Sequence, residues 1–145
     1  MHIVIKTPVK QNYKQVAEGF TEKLFLALNP PFPPVKLIRF DGCKKGDRVS
    51  LELNFIFFKQ RWNSIITYNV WNEQEFAFID EGDQLPFFLK TWKHHHRIKH
   101  VEHGSVIEDD IHYTAPFKLL TLLLYPVLYL QFLYRRPVYQ RIFSK

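Results

Sequence analysis

Residues 91–114 read TWKHHHRIKHVEHGSVIEDDIHYT, two runs in which polar and apolar residues alternate on either side of His103-Gly104. Successive side chains of a β-strand point to opposite faces, so every second residue shares a face. One face of the first run is aromatic, aliphatic and imidazole: Trp92, His94, His96, Ile98 and His100. The other face is mainly cationic and suits water: Lys93, His95, Arg97 and Lys99. The alternation predicts an antiparallel hairpin with one buried face.

The second run has an apolar face that carries a single charge. Its members are Ile107, Asp109, Ile111 and Tyr113, whereas Glu108, Asp110 and His112 share the opposite face. A carboxylate on a buried face must find a partner or remain protonated. Pairing across the hairpin brings Asp109 beside His96 or Ile98, depending on the register. We therefore expect a buried pair of His96 and Asp109, with His94 as the less favoured partner.

Alternating runs upstream of the hairpin predict further antiparallel strands. In chain order the predicted strands are 2–7, 35–40, 48–58, 62–71 and 75–80, followed by a polar loop at 81–86. The apolar face of the third run is Val49, Leu51, Leu53, Phe55 and Phe57. Strands joined by short turns in this way build a meander of antiparallel hairpins.

Helical spacing appears in two segments that flank the strands. In 13–28 the apolar residues recur every three or four positions, but Gly19 weakens the middle and Thr21 could cap a new helix. One continuous helix and two short ones both fit this segment, which ends at the proline-rich stretch 29–34.

The chain ends in a leucine-rich segment, 117–143, that predicts one long helix, bent or broken near Pro126 and Pro137. Its most apolar part, 119–134, is shorter than the about 20 residues needed to cross a membrane. A helix packed on the sheet, with some apolar surface left exposed, is therefore favoured over a membrane span.

Composition limits the class of protein. The chain has 145 residues, which suits a single domain over 1–145, and it is 46% hydrophobic and 17% aromatic, far too apolar for disorder. The net charge is +6, but the basic residues are scattered, which favours a solvated surface over nucleic-acid binding. A single cysteine, Cys43, excludes a disulfide framework and a multi-thiolate zinc site. We see no signal peptide and expect a cytoplasmic protein.

Three motifs give the chain a family resemblance. They are Gly46-Asp47-Arg48-Val49, the stretch from Asp83-Gln84-Leu85-Pro86 through Trp92-Lys93-His94-His95-His96, and Asp109-Asp110-Ile111-His112-Tyr113. With them the sequence resembles the SRPBCC group of the START and birch-pollen-allergen superfamily, including its polyketide cyclase/dehydrase-like members. The resemblance implies an α+β helix-grip fold. In that fold a curved antiparallel sheet of about seven strands wraps around a long C-terminal helix, with one or two short helices after the first strand. It also implies an elongated cavity for an apolar or amphipathic small molecule.

The histidines admit four interpretations. A buried His–Asp pair can brace the sheet, or it can orient a ligand in an apolar pocket. His94 and His96, with His100 or Asp109, could instead hold a metal ion, although a cavity wall explains them equally well. Acid–base catalysis by the same pair is the fourth, but no nucleophile motif, phosphate loop or paired-carboxylate signature supports it.

We therefore predict a protein that binds a lipid, polyketide or isoprenoid-like molecule in a hydrophobic cavity. The predicted ligand-binding residues are Phe55, Trp92, His94, His96, Asp109, Ile111 and Tyr113, with no catalytic residue, metal site or cofactor. The alternative is a cyclase or dehydratase that uses a His/Asp acid–base pair in the same cavity; binding is favoured over catalysis. The apolar C-terminal helix is a candidate for peripheral contact with a membrane or another protein. The sequence leaves the ligand and the oligomeric state open.

Overall fold

The computed structural model describes residues 1–145 as one seven-stranded antiparallel sheet with four helices. The elements, in chain order, are β1 (His2–Val9), α1 (Tyr13–Glu18), α2 (Glu22–Ala27), β2 (Val35–Phe40), β3 (Arg48–Asn54), β4 (Lys59–Trp71), β5 (Glu75–Gln84), β6 (Thr91–Val101), β7 (Gly104–Thr114), α3 (Lys118–Leu133) and α4 (Arg135–Phe143). The strand order is β1-β7-β6-β5-β4-β3-β2, so the first strand closes onto the last. This is the predicted helix-grip architecture.

Of the two registers that the sequence left open, the hairpin of β6 and β7 has the one that places Asp109 opposite His96. His96 pairs with Asp109 and Ile98 pairs with Ile107 across the two strands. The turn between them needs glycine at position 104, where φ is +138° and a side chain would collide with the carbonyl oxygen of Val9.

Two clusters of buried apolar side chains divide the core. One joins α1, α2 and α4 to the sheet and contains the central residues Val16, Phe78, Ile98 and Tyr139. The other lies under α3 and contains Trp92, Ile111, Tyr113, Leu128 and Phe132. The helices therefore cover the concave face of the sheet from two ends, and the space between the two clusters becomes the cavity described below.

Of the two alternatives for residues 13–28, the structure has the helix pair. Asn12 caps α1: its side-chain oxygen accepts from the backbone N–H of Gln15 at 2.9 Å, and the Gln15 side chain bonds the Asn12 N–H in return. Gly19 ends α1 where the ring of Phe143 lies so close that an added Cβ would stand 2.5 Å from it. Thr21 is at the start of α2 but makes no side-chain capping bond.

The C-terminal segment forms a long helix, α3, and a shorter one, α4, which meet at Tyr134. Pro126 lies inside α3 without ending it. Pro137 lacks the N–H that would bond to the carbonyl of Leu133, and this explains the break just before it. None of the helices is long and apolar enough to cross a membrane.

Two predicted strand boundaries were wrong. The run 48–58 does not continue as one strand, because β3 ends at Asn54 and Ile56 adopts a positive φ of 76° in the turn to β4. Phe57 consequently projects outward and is 93% exposed, although the pattern predicted it on the buried face. The predicted polar loop 81–86 is mostly strand, because the long β4 supplies partners for β5 as far as Gln84.

Candidate functional site

A cavity of about 460 Å³ lies between the concave face of the sheet and helix α3. Of its 28 lining residues, 19 are hydrophobic, so the wall as a whole is apolar. The strands contribute residues such as Val49, Leu51 and Trp62, and α3 contributes Leu124 and Phe132. A mostly apolar concavity with a few polar groups is the usual form of a small-molecule site.

Strand β6 directs two of its four imidazoles, those of His94 and His96, into this cavity, as the alternation predicted. Trp92, His94 and His96 are each at most 5% exposed, and all three line the cavity. Farther along the same face, the predicted burial is confirmed for Ile98 but wrong for His100. Ile98 is buried in the core under α1 and α4, and His100 is exposed at the end of the strand against the ring of Tyr13. The alternating face therefore has a cavity half and a core half.

His94 pairs with Asp109 behind the cavity wall. Its Nε2 lies 2.9 Å from Asp109 Oδ1, and because a carboxylate only accepts, that nitrogen carries the proton. Burial, together with the neighbouring His96, lowers the pKa of His94 to about 4, so the ring is neutral at neutral pH. Burial alone would raise the pKa of Asp109, but the hydrogen bond from His94 and the charge of Arg135 hold it below its ordinary value.

His96 has a different partner, Asp80 on β5. Its Nε2 donates to Asp80 Oδ2 at 2.7 Å. Burial would raise the pKa of Asp80, but the hydrogen bond from His96 and the charge of Arg135 together hold it below its ordinary value. The two imidazole rings lie against each other at a tilt of 30° with centroids 3.5 Å apart, and the ring of Phe78 stacks on His96 at 4.2 Å.

The expected pairing of His96 with Asp109 was therefore wrong. These residues are direct neighbours across β6 and β7, yet His96 Nδ1 stands 3.9 Å from Asp109 Oδ1, beyond hydrogen-bond range. The hydrogen bonds run diagonally instead, from His94 to Asp109 and from His96 to Asp80. Asp80, which was not among the predicted site residues, lines the cavity and belongs to the site. A sequence signal existed, because Asp80 continues the alternating apolar face of Phe76 and Phe78.

Arg135 is a second residue that the sequence reasoning missed. It is the first residue of α4, and its guanidinium carbon lies 4.3 Å from the centre of the Phe132 ring. Its Nη1 is 3.8 Å from Asp109 Oδ1, and the side chain lines the cavity. The site therefore contains two carboxylates, one guanidinium and two imidazoles.

Several buried polar atoms in or just behind the cavity wall have no hydrogen-bond partner in the protein. They are His96 Nδ1, Asp109 Oδ2, Arg135 Nη1 and the Tyr139 hydroxyl. Burial raises the pKa of that Tyr139 hydroxyl. Leaving a buried donor or acceptor unpaired costs about 1–3 kcal/mol. A polar group of a ligand, or a water, that reached these atoms would therefore gain several hydrogen bonds.

The predicted site residues divide into two groups. Phe55, Trp92, His94 and His96 line the cavity. Asp109, Ile111 and Tyr113 are at most 1% exposed and lie behind its wall. The Tyr113 hydroxyl donates to the backbone oxygen of Thr121 at 2.8 Å, which ties the start of α3 to the sheet.

Asp80, His94 and His96 also offer ligand atoms close enough together for a metal ion. Their orientation does not favour one. Each Nε2 already faces a carboxylate, at 2.9 Å for His94 and 2.7 Å for His96, so a metal ion would have to displace these hydrogen bonds. Arg135 adds a positive charge beside them. The predicted lack of a metal site stays a prediction.

Comparison with known proteins gives matches in structure alone. No family model and no curated protein sequence matches the chain. Protein Ms6760 from Mycobacterium smegmatis has 15% sequence identity and a TM-score of 0.69 over 97% of this chain and 89% of that one. The Zhui aromatase/cyclase from Streptomyces sp. R1128 has 14% identity and a TM-score of 0.66 over 94% and 89%.

Norcoclaurine synthase from Thalictrum flavum, solved in complex with dopamine and hydroxybenzaldehyde, has 12% identity and a TM-score of 0.64 over 88% of this chain and 76% of that one. These similarities cover most of the chain and confirm the helix-grip fold implied by the resemblance to the SRPBCC group. Ligand-binding and cyclase proteins share this fold, and the particular ligand is not determined by it.

Proposed function

We propose that this protein binds an amphipathic small molecule, of the lipid, polyketide or isoprenoid kind, in the cavity under α3. The observation that carries the proposal is an apolar cavity whose lining includes two unpaired buried polar atoms, His96 Nδ1 and Arg135 Nη1. Its volume of about 460 Å³ falls in the range of roughly 300–1,000 Å³ that small-molecule sites occupy. The apolar body of the ligand would contact Phe55 and Trp92, and its polar end would face His96 and Arg135.

The charges at the polar end favour one class of ligand. Asp80 and Asp109 are ionised, His94 is neutral, and Arg135 supplies one positive charge, so these four groups leave an excess of negative charge. A ligand carboxylate would be repelled by both aspartates. A hydroxyl avoids that repulsion, because its oxygen can accept from Arg135 Nη1 while its hydrogen is donated to His96 Nδ1. We therefore propose an alcohol or phenol, rather than a fatty acid, as the ligand.

A pair of probes with the same hydrocarbon chain tests this. A long-chain alcohol and the matching carboxylic acid compete with an apolar fluorescent dye held in the cavity. At neutral pH we expect the alcohol to displace the dye at a concentration at least about tenfold lower, which corresponds to about 1.4 kcal/mol. Asp80→Asn removes one negative charge and should reduce that preference several-fold.

Asp83→Asn is the matched control. Asp83 lies on the same strand but outside the cavity, where it pairs with Arg48 at 2.7 Å. Equal displacement by acid and alcohol, or the same response of the Asp80 and Asp83 variants, would show that the polar end is wrongly assigned. Failure of every apolar probe to enter the cavity would contradict binding itself.

Acid–base catalysis on such a ligand is the second candidate, and one observation favours it. Asp80 holds the His96 ring by its Nε2 and leaves Nδ1 free of protein partners, which is how a carboxylate orients a general acid or base. Mass spectrometry of the bound molecule before and after incubation separates the two functions. An unchanged mass supports a binding protein. Conversion that stops in Asp80→Asn but continues in Asp83→Asn would establish a cyclase or dehydratase.

A further inference from the structure

One side of α3 is apolar and exposed along its whole length. Its residues recur at the spacing of a single helical face and end just beyond the helix: Leu119, Leu122, Leu123, Pro126, Val127, Leu130 and Tyr134. Leu119, Leu123 and Leu130 are each more than 60% exposed. The buried residues Leu128 and Phe132 belong to the opposite side of the helix, so packing on the sheet does not explain this stripe.

Two loops on the same side of the cavity as the stripe residue Val127 carry further exposed aromatic and aliphatic side chains. Ile56 and Phe57 in the β3–β4 turn are 75% and 93% exposed, and Phe87 in the β5–β6 loop is 65% exposed. The ring of Phe58 connects these loops, with its centre 5.8 Å from that of Phe87. Phe87 and the stripe residue Val127 both line the cavity, so loops and stripe border one opening. We call the stripe together with Ile56, Phe57 and Phe87 the mouth surface.

The segments that carry the mouth surface contain no acidic residue. No Asp or Glu occurs in 55–63, in 85–90, or anywhere from 115 to the end of the chain. Lys90 and Lys118 are exposed beside the start of α3, where the backbone N–H of Lys90 bonds the carbonyl of Thr114 at 2.7 Å, and neither lysine makes an ion pair. The segments that carry the surface are therefore apolar and cationic, and the nearest acidic contact to them is Glu52, which pairs with Lys59 at 3.6 Å.

We propose that the mouth surface docks on an anionic lipid bilayer. An apolar face of this kind lies at the boundary of headgroups and acyl chains, while neighbouring lysines meet anionic headgroups. A second copy of the chain is a poorer occupant, because facing two such surfaces would bring the lysines together without an acidic residue to balance them. Docking would place the cavity opening against the lipid, a direct route for an apolar ligand.

Docking does not depend on the proposed ligand, since the apolar stripe and the lysines lie outside the cavity's polar end. Vesicles of phosphatidylcholine alone, and of phosphatidylcholine mixed with phosphatidylserine, serve as probes in a flotation assay with the full chain. We expect binding to the mixed vesicles to be at least about tenfold tighter, since two lysines contribute attraction to anionic lipid. Added salt should weaken that binding by screening.

The decisive variant is Leu123→Glu, in the middle of the stripe. We expect it to weaken binding to the mixed vesicles by at least about tenfold, because an inserted leucine is replaced by a charge. Val101→Glu is the matched control: Val101 is 39% exposed at the far end of β6, and this variant should bind as the wild type does. Thermal melting of both variants checks that they are folded.

Three results would overturn the proposal. Equal binding of the wild type to both kinds of vesicle would show that anionic lipid is not required. Unchanged binding of Leu123→Glu would show that the stripe does not contact the bilayer. A stable dimer in vesicle-free solution that Leu123→Glu separates would show that a second copy covers the surface instead. The ligand displacement assay is independent of all three, so failure of docking and failure of ligand binding can be told apart.

Discussion

The two faces of the β6–β7 hairpin carry buried carboxylates of nearly equal exposure with very different partners. Asp109 on the concave face is 1% exposed, and Glu108 on the convex face is 4% exposed. Asp109 faces His94, whose side chain is 4% exposed, whereas Glu108 meets Lys6, Arg97 and Lys99, whose side chains are 64%, 32% and 38% exposed. The outer cations remain in contact with water, and the inner partner does not.

This difference shows that the burial of a carboxylate alone does not set its importance. A cation that reaches water can lose its partner and be resolvated at small cost. A buried partner has no such alternative, because removing one member of a buried pair leaves the other unpaired at low dielectric. The inner pairs should therefore be sensitive to single substitutions, and the outer cluster should be tolerant.

The largest expected effect comes from Asp109→Ala. It leaves His94 Nε2 without an acceptor and Arg135 without its nearest carboxylate, so we expect a loss of about 3 kcal/mol in the free energy of unfolding. Asp110→Ala is the control, since Asp110 faces outward and pairs with a half-exposed His2. That variant should lose less than about 1 kcal/mol. Urea denaturation measures the free energy of unfolding of both variants. Equal losses would contradict the difference proposed between the two faces.

The second largest expected effect is the loss of stability of the inner site on acidification. His94 has a pKa of about 4 in the folded protein against an ordinary value of 6.5, so between these pH values the unfolded chain binds the extra proton. Stability is then lost as the pH falls from 6.5 towards 4, by at most about 1.4 kcal/mol for each pH unit from this group. Below that window, protonation of Asp80 and Asp109, whose folded pKa values are lowered, removes further stability.

Glutamine substitution identifies the group responsible. His94→Gln should flatten the dependence of melting temperature on pH between 6.5 and 4. Burial and the neighbouring Arg97 also lower the pKa of His95, but water reaches this half-exposed ring, so His95→Gln should change the slope less. An unchanged slope in His94→Gln would contradict a neutral, buried imidazole at this position.

The outer cluster should respond weakly and in a salt-dependent way. Glu108→Gln removes the carboxylate from three cations that remain solvated, and we expect a loss of about 1 kcal/mol that shrinks in high salt. Denaturation at two ionic strengths measures it. If the loss were as large as that of Asp109→Ala and independent of salt, the carboxylates on both faces would be equally shielded from solvent.

His95→Ala should have a still smaller effect, below about 0.5 kcal/mol, because its ring lies on the outer face against Tyr68 and Arg97. Thermal melting beside Asp109→Ala is the measurement. If Asp109→Ala left the melting temperature unchanged while His95→Ala lowered it, the side chains of β6 would have to point to the opposite faces from those described.

Removal of metal should have no effect. Because the Nε2 atoms of His94 and His96 already hydrogen-bond to carboxylates, dialysis against a chelator should leave the melting temperature unchanged. The metal interpretation would be supported if elemental analysis found stoichiometric zinc and if chelation removed both the zinc and part of the stability.

Much of this arrangement could be predicted from the sequence, because side-chain alternation is a local property. The period of two in β6 and β7 correctly assigned Trp92, His94 and His96 to the concave face. The same rule, applied to Phe76 and Phe78, could have identified Asp80. It failed at Phe57, where a local turn with a positive φ at Ile56 interrupts the strand.

The pairing of acids and bases was decided by tertiary structure. Register places His96 opposite Asp109, but sheet twist and the position of β5 make the diagonal hydrogen bonds shorter than the direct contact. Arg135 enters the site because the helix breaks at Tyr134. The position of its side chain therefore depends on how α3 lies across the sheet. Alternation along one strand determines which face a side chain takes. Distances between strands and helices determine its partner, and no single segment contains that information.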